Sequence, residues 1–141
     1  MKKIFLIAIA LLMAATTSSQ AKGDSPVRVV ESFLEMLKQG ATSEAYDRLF
    51  MNSNILEEKP EAVEVIKTQT AKNLPHYGDI LGYEKIYGEK FGTSIIRLVY
   101  VLKSEKVATV WEFYFYKPES EWFVASIQFN DKFDLLEARE E

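Results

Sequence analysis

The chain has 141 residues, 48% of them hydrophobic and 27% charged, which fits one globular domain. Its 17 basic and 21 acidic residues give a net charge of −4, and without Lys2 and Lys3 the chain from residue 22 onward carries −6. This acidity argues against the basic surface with which proteins bind nucleic acid or anionic membranes. The absence of cysteine excludes disulfides and thiolate metal sites, and a single histidine, His76, argues against a histidine-rich metal site. We therefore expect no metal and no cofactor.

The first 21 residues have the pattern of a secretory signal peptide. Lys2 and Lys3 precede an apolar run over residues 4–15, and small residues flank Gln20 at a cleavage site after Ala21. The run is shorter than the roughly 20 residues that span a bilayer. We predict cleavage, a periplasmic or secreted protein without a stable membrane anchor, and one domain over residues 22–141. The alternative is an uncleaved anchor or a buried helix.

The first half of the exported part has the apolar spacing of three amphipathic helices. Each begins near a polar capping residue or a proline and ends at a glycine, an asparagine or a proline. The predicted helices cover about residues 26–39, 43–51 and 60–74.

After Gly78 the apolar period changes to two, and Val, Ile, Tyr, Phe and Trp become frequent, which is typical of strands. The predicted strands are Leu81–Tyr87, Thr93–Leu102, Val107–Tyr116 and Trp122–Asn130. Their connections are too short for parallel crossovers, so neighbouring strands are expected to be antiparallel. The predicted fold class is α+β, with three N-terminal helices packed on one face of a curved, four-stranded antiparallel meander.

The turn positions predict how the strands pair. The turn after the second strand sets Arg97 directly opposite Glu112, and the next turn sets Trp111 opposite Ile127. With these registers, odd-numbered side chains from Trp111 to Phe129 face the helices. Arg97 and Glu112 lie on the outer face of the sheet, because a slip of one residue would bury them beneath the helices.

This order of elements resembles the NTF2-like, or cystatin-like, superfamily over residues 25–130. The resemblance rests on a capped helix reading VVESFLEML, a short helix around SEAYDRLF, a third helix, and a meander that ends EWFVASIQF. It implies a cone-shaped cavity between helices and sheet, and frequent dimers through the outer sheet face. The superfamily includes isomerases, dehydratases and non-enzymatic binding modules, so the resemblance does not decide the activity.

Within the expected cavity, Tyr46, Tyr100 and Trp111 have polar atoms that need a partner when buried, so we place the pocket for a small apolar ligand there. An isomerase or dehydratase would need a carboxylate in the same place. Asp47 and Asp79 could supply one, but Asp47 is expected to face solvent. We therefore predict a binding domain without catalytic residues, with a proton-transfer enzyme for hydrophobic substrates as the alternative.

The outer face of the predicted sheet carries an apolar and aromatic patch that includes Tyr114, Tyr116 and Trp122. Such a patch on a small domain usually marks a binding surface for another protein. We predict that these residues form an interface, either in a homodimer or with another envelope protein. The alternative is that the flank of the first strand or the segment Phe133–Leu136 covers the patch.

Overall fold

The computed structural model describes residues 25–137, in which helices precede an antiparallel sheet. The helices are α1 (Pro26–Lys38), α2 (Thr42–Leu49), α3 (Ile55–Glu58) and α4 (Pro60–Asn73), and a 3₁₀ turn follows at Leu74–Tyr77. The strands are β1 (Ile80–Phe91), β2 (Ile95–Ser104), β3 (Ala108–Tyr116) and β4 (Phe123–Asn130), and a second 3₁₀ turn covers Asp134–Leu136. The predicted signal peptide lies outside the described residues. The three predicted helices correspond to α1, α2 and α4, and the single turn α3 was not expected.

Helix α1 shows how the local sequence sets the bounds of an element. Ser25 Oγ accepts a hydrogen bond from the backbone N–H of Arg28 at 3.4 Å, and Pro26 occupies the first turn, where no N–H is needed. The helix ends at Lys38, and Gly40 follows with φ = 80°, a left-handed conformation that favours glycine. The predicted start and stop of the first helix are confirmed.

The helices and the inner face of the sheet share one core. Phe33 of α1 makes edge-to-face ring contacts with Tyr46 at 4.9 Å, Trp111 at 5.6 Å and Phe113 at 5.9 Å. Buried aromatic rings contribute much of the stability of a small domain that has no disulfide. The sheet has the order β1-β2-β3-β4. The prediction of helices packed on one face of an antiparallel meander is therefore confirmed.

The predicted register between β2 and β3 is wrong by two residues. Arg97 pairs with Tyr114, and Glu112 pairs with Val99 in the next row of the same face. The loop between these strands keeps the predicted length of four residues but lies one residue later, at 104–107, which shifts the pairing by two. Its backbone is hydrogen-bonded to the segment before β1: the N–H of Glu105 donates to the carbonyl of Asp79 at 3.0 Å. A shift of two residues preserves the faces, so Arg97 and Glu112 do lie on the outer face, as predicted.

The register between β3 and β4 is also displaced by two residues at its centre. Trp111 pairs with Phe129 instead of Ile127, and the two aromatic rings stack with their centres 4.0 Å apart. This stacking favours the observed pairing over the predicted one, because contacts between aromatic rings add stability beyond the area that they bury.

A β-bulge at Ala125 reverses the two faces at the start of β4. The pairing skips Ala125, so Val124 lies in the core and is only 4% exposed. Phe123 lies on the outer face opposite Tyr116, and Trp122 packs against the inner core. The prediction that Phe123 and Ala125 face the helices while Trp122 faces outward is therefore wrong, because one extra residue inverts the alternation of a strand.

The edge strand β1 has two further irregularities, at Leu81 and Ile86. The bulge at Ile86 turns Tyr87 to the outer face, where it pairs with Val99, whereas Tyr83 packs against the inner core. Without this bulge, both tyrosines would share one face. Bulges also twist an edge strand away from further pairing.

Residues 133–137, here called the strap, cover part of the outer face. Leu135 is 7% exposed and packs against Val110 in a second, smaller core. Arg97 and Glu112 are 1% and 2% exposed, and Arg97 is hydrogen-bonded to the strap rather than lying beneath the helices. For this part of the face, the alternative of coverage by the C-terminal segment is the one observed.

Candidate functional site

The three residues assigned to the ligand pocket lie together in the inner core and are fully buried. The hydroxyls of Tyr46 and Thr70 share a hydrogen bond of 2.8 Å, and Trp111 Nε1 donates to Thr109 Oγ1 at 2.9 Å. Burial raises the pKa of Tyr46 strongly, although its hydrogen bond with Thr70 acts in the opposite direction. Tyr100 completes the group. The polar atoms of Tyr46 and Trp111 thus have partners within the chain.

Tyr100 differs because its hydroxyl reaches a carboxylate at the border of the core. It donates to Glu31 Oε1 at 3.3 Å, and its ring lies 6.5 Å from that of Tyr83. Burial, and then the nearby charge of Glu31, raise the pKa of Tyr100 well above its ordinary value. Burial, followed by the charges of Glu31 and Glu35, raises the pKa of Tyr83 as well.

Sequence reasoning missed Glu31 because the search for a carboxylate was confined to the strands, the second helix and the segment before β1. Its signal was its position four residues after Val27, which places both side chains on the same side of α1 at the border of the apolar stripe. Chemically, a half-buried carboxylate that accepts a hydrogen bond from a buried tyrosine can take up a proton from a substrate.

The two aspartates considered as catalytic carboxylates lie at the surface. The Asp47 carboxylate is 54% exposed and binds Lys67 Nζ at 2.6 Å, a hydrogen bond that raises the pKa of Lys67. Asp79 is exposed just before β1. The expectation that Asp47 faces solvent is confirmed.

Two surface clefts lie away from the aromatic group. The larger of the two, about 400 Å³, lies between residues 52–59 and the start of β4, and Lys59, Phe123 and Val124 are among the residues that line it. The other, about 290 Å³, lies between the ends of α1 and α4 and the start of β1. Neither of these two is lined by Tyr46, Tyr100 or Trp111.

The outer face has an exposed apolar row at the end of the sheet opposite the strap. Its members pair with one another in sequence across all four strands, and we call them the open row: Phe91, Ile95, Tyr116 and Phe123. Phe91 and Ile95 are each 38% exposed and Tyr116 is 40% exposed. The Tyr116 and Phe123 rings meet edge to face at 5.5 Å.

The predicted interface residues are only partly brought together. Tyr116 lies in the open row, and Tyr114 lies half-buried in the next row, opposite Arg97. Trp122 is on the other side of the sheet, against the inner core. Phe123, which sequence reasoning had turned inward, occupies the outer position instead because of the bulge in β4.

The strap is held by polar groups that the open row lacks. Arg97 Nη2 donates to the carbonyl of Leu135 at 3.3 Å. The Tyr87 hydroxyl shares its one proton between the carbonyls of Leu135 at 3.3 Å and Glu137 at 3.0 Å. Arg97 Nη1 in turn donates to the Tyr87 hydroxyl at 2.8 Å.

Arg97 is the central charge of the outer face. Its Nε donates to Glu112 Oε2 at 2.6 Å, and Gln128 Nε2 donates to Glu112 Oε1 at 2.7 Å. Burial by itself lowers the pKa of Arg97, but hydrogen bonds to Glu112 and Tyr87 outweigh it and raise the pKa. The guanidinium is therefore charged, and the surrounding hydrogen bonds replace the water that burial has removed.

Residues 25–137 contain no group of three or more acidic, cysteine or histidine side chains placed to hold a metal ion. In the same range, no helix has both the length and the apolar character needed to cross a membrane. Comparison with protein-family models, with curated proteins and with solved structures found no match. Any functional inference therefore rests on the geometry of the core and of the outer face.

Proposed function

We propose that this chain is an exported, non-catalytic binding domain of the NTF2-like type, whose outer sheet face binds a protein partner, in the first place a second copy of itself. The observation that carries the proposal is the open row. Four large apolar side chains in register across a sheet, with Tyr116 40% exposed, form the kind of surface that proteins bury against one another.

A protein partner is better supported than a small apolar ligand held among Tyr46, Tyr100 and Trp111. Those three side chains are fully buried and already hydrogen-bonded within the chain. A ligand there would have to displace packed aromatic rings, at a cost comparable to disrupting the core. The open row binds a partner without any such rearrangement.

The decisive experiment measures self-association of the protein recovered from the exported fraction. We expect light scattering to show a reversible dimer at about 10–100 µM, with a dissociation constant raised at least about tenfold by Tyr116→Lys. Met51→Lys is the matched control, because Met51 is 67% exposed but lies in the helical half. A monomer throughout this range, or equal effects of the two substitutions, would refute the proposal.

The same material tests export. Intact mass and N-terminal sequencing are expected to show a chain that begins at Lys22, after loss of the 21-residue signal peptide. The proposal of export would be contradicted if the chain were recovered only from the cytoplasm with residues 1–21 still attached.

A second candidate function is supported by one observation, the hydrogen bond between Tyr100 and Glu31. In a proton-transfer enzyme of the isomerase or dehydratase type, Glu31 would be the base and Tyr100 would orient it. This function is tested with an apolar ketone or hydroxy compound that carries a deuteron on carbon. If the chain exchanges this deuteron faster than a Glu31→Gln variant does, catalysis is favoured over the binding function.

A further inference from the structure

The strap occupies a binding site on the outer face, and the occupant itself shows what the site recognises. Two backbone carbonyls accept hydrogen bonds from Arg97 and Tyr87, and one leucine side chain is buried against Val99 and Val110. We propose that this site also accepts the strap of a second copy, so that Leu135 of one chain fills the outer face of the other. This rests on the proposed self-association, and it names the segment that each copy contributes.

The contacts of the strap are independent of chain connectivity. Carbonyl groups and a single leucine would make the same hydrogen bonds and the same apolar contact from another chain. Arg97, the charged member of the site, is 1% exposed and is hydrogen-bonded on two further sides by Glu112 and Tyr87, so its guanidinium is already oriented toward the carbonyl it meets. Such preorganisation lowers the entropic cost of binding a flexible segment.

The link between β4 and the strap suits an exchange. Residues 131–132 form the link and are exposed, and Phe133, the first residue of the strap, is 58% exposed and outside the small core that holds Leu135. Three extended residues reach about 10 Å. Two sheets that pack face to face are also about 10 Å apart, so a strap can cross from its own sheet to a facing one.

The size of the open row gives an independent reason for a second contact. With about 40% of Phe91, Ile95 and Tyr116 exposed and Phe123 half-buried, the row offers on the order of 250 Å². A standard interface buries roughly 800 Å² on each partner. The open row alone therefore supports only weak self-association, and the adjoining strap site lies on the same face and extends it.

The first experiment uses a fluorescent peptide of residues 131–141 as the probe and the full exported chain as the receptor. In a Leu135→Asp variant the chain's own strap is displaced, and we expect saturable peptide binding. We expect the unaltered chain to bind at least about tenfold more weakly, because its own strap competes at an effective concentration near the millimolar range. Phe133→Asp is the matched control in the same segment, and it should behave like the unaltered chain.

The second experiment asks whether a whole chain can supply the strap. The Leu135→Asp variant keeps the receiving site but lacks a competent strap, and a Tyr87→Ala variant keeps the strap but lacks the hydroxyl that holds it. When the two variants are mixed in equal amounts, we expect a heterodimer whose dissociation constant is at least about tenfold lower than that of the homodimer of either variant. Tyr87 lies on an edge strand and is half-buried, so the fold should tolerate the change, and Tyr87→Phe is the conservative replacement if it does not.

The outcomes separate this inference from the proposed function. If a natively folded Leu135→Asp chain does not bind the peptide, the inference is overturned. It is also overturned if the peptide binds but the mixed variants associate no more tightly than either variant alone. In either case, a dimer that Tyr116→Lys disrupts would leave the proposed function standing. If instead the unaltered chain is monomeric while the mixed variants associate, the strap site is real and the open row is not the interface.

Discussion

Replacing Glu112 with glutamine should destabilise the domain severely, although it changes one oxygen to an amide nitrogen. The carboxylate accepts hydrogen bonds from Arg97 at 2.6 Å and from Gln128 at 2.7 Å. The side chains of Arg97 and Glu112 are only 1% and 2% exposed. Glu112→Gln leaves the guanidinium buried without its counter-charge. Removing one member of a buried pair typically costs about 3–5 kcal/mol. That is a large fraction of the roughly 5–15 kcal/mol by which most domains are stable.

The assay is denaturant unfolding, with a thermal scan beside it. For a chain of this size, 3–5 kcal/mol corresponds to a fall in Tm of roughly 10–20 °C. Glu84→Gln is the matched control, because its ion pair with Lys103 spans 3.5 Å and both side chains are more than half exposed. Such surface pairs contribute about 0–1 kcal/mol.

A double variant separates the charge from the packing. Arg97→Met combined with Glu112→Leu removes both charges while keeping similar volumes, and it should recover most of the lost stability. The reasoning is wrong if Glu112→Gln costs no more than Glu84→Gln, or if the double variant is less stable than the single one. The first result would mean that the ion pair is hydrated in solution, and the second that the hydrogen bonds of Arg97 to Tyr87 and the strap outweigh the cost of the unpaired charge.

Two further predictions concern the inner core. Because burial raises the pKa values of Tyr46 and Tyr100, the unfolded chain releases these protons above about pH 10 while the folded chain retains them. The stability that these tyrosines provide is complete below pH 10. Above pH 10 the free energy of unfolding should fall by about 1.4 kcal/mol per pH unit for each tyrosine. Tyr46→Phe and Tyr100→Phe should each remove the contribution of one tyrosine to this slope. Val124→Ala should cost about 1.5–3 kcal/mol in denaturant unfolding, because Val124 is a core residue, whereas Ala125→Gly should cost well under 1 kcal/mol. The opposite ranking would show that β4 has no bulge in solution.

The parts of the fold that followed from the sequence are those set by neighbours along the chain. The start of α1 depends on Ser25 and Pro26, and its end on Gly40, all within a few residues of the helix. The inward orientation of Trp111 depends only on the alternation of a strand. For the same reason the order of helices and strands, and the choice of the buried face, could be predicted without coordinates.

Only the tertiary structure decided which side chains make up the outer face and which carboxylate meets Tyr100. The bulge at Ala125 exchanged Trp122 for Phe123 on the outer face, and no local signal in the sequence marks which residue of a strand will be skipped. Glu31 became a candidate only when α1 was placed against Tyr100, 69 residues later in the chain. Contacts over such separations depend on how whole elements pack, so the periodicity of each element predicts which face is apolar but not which side chains meet there.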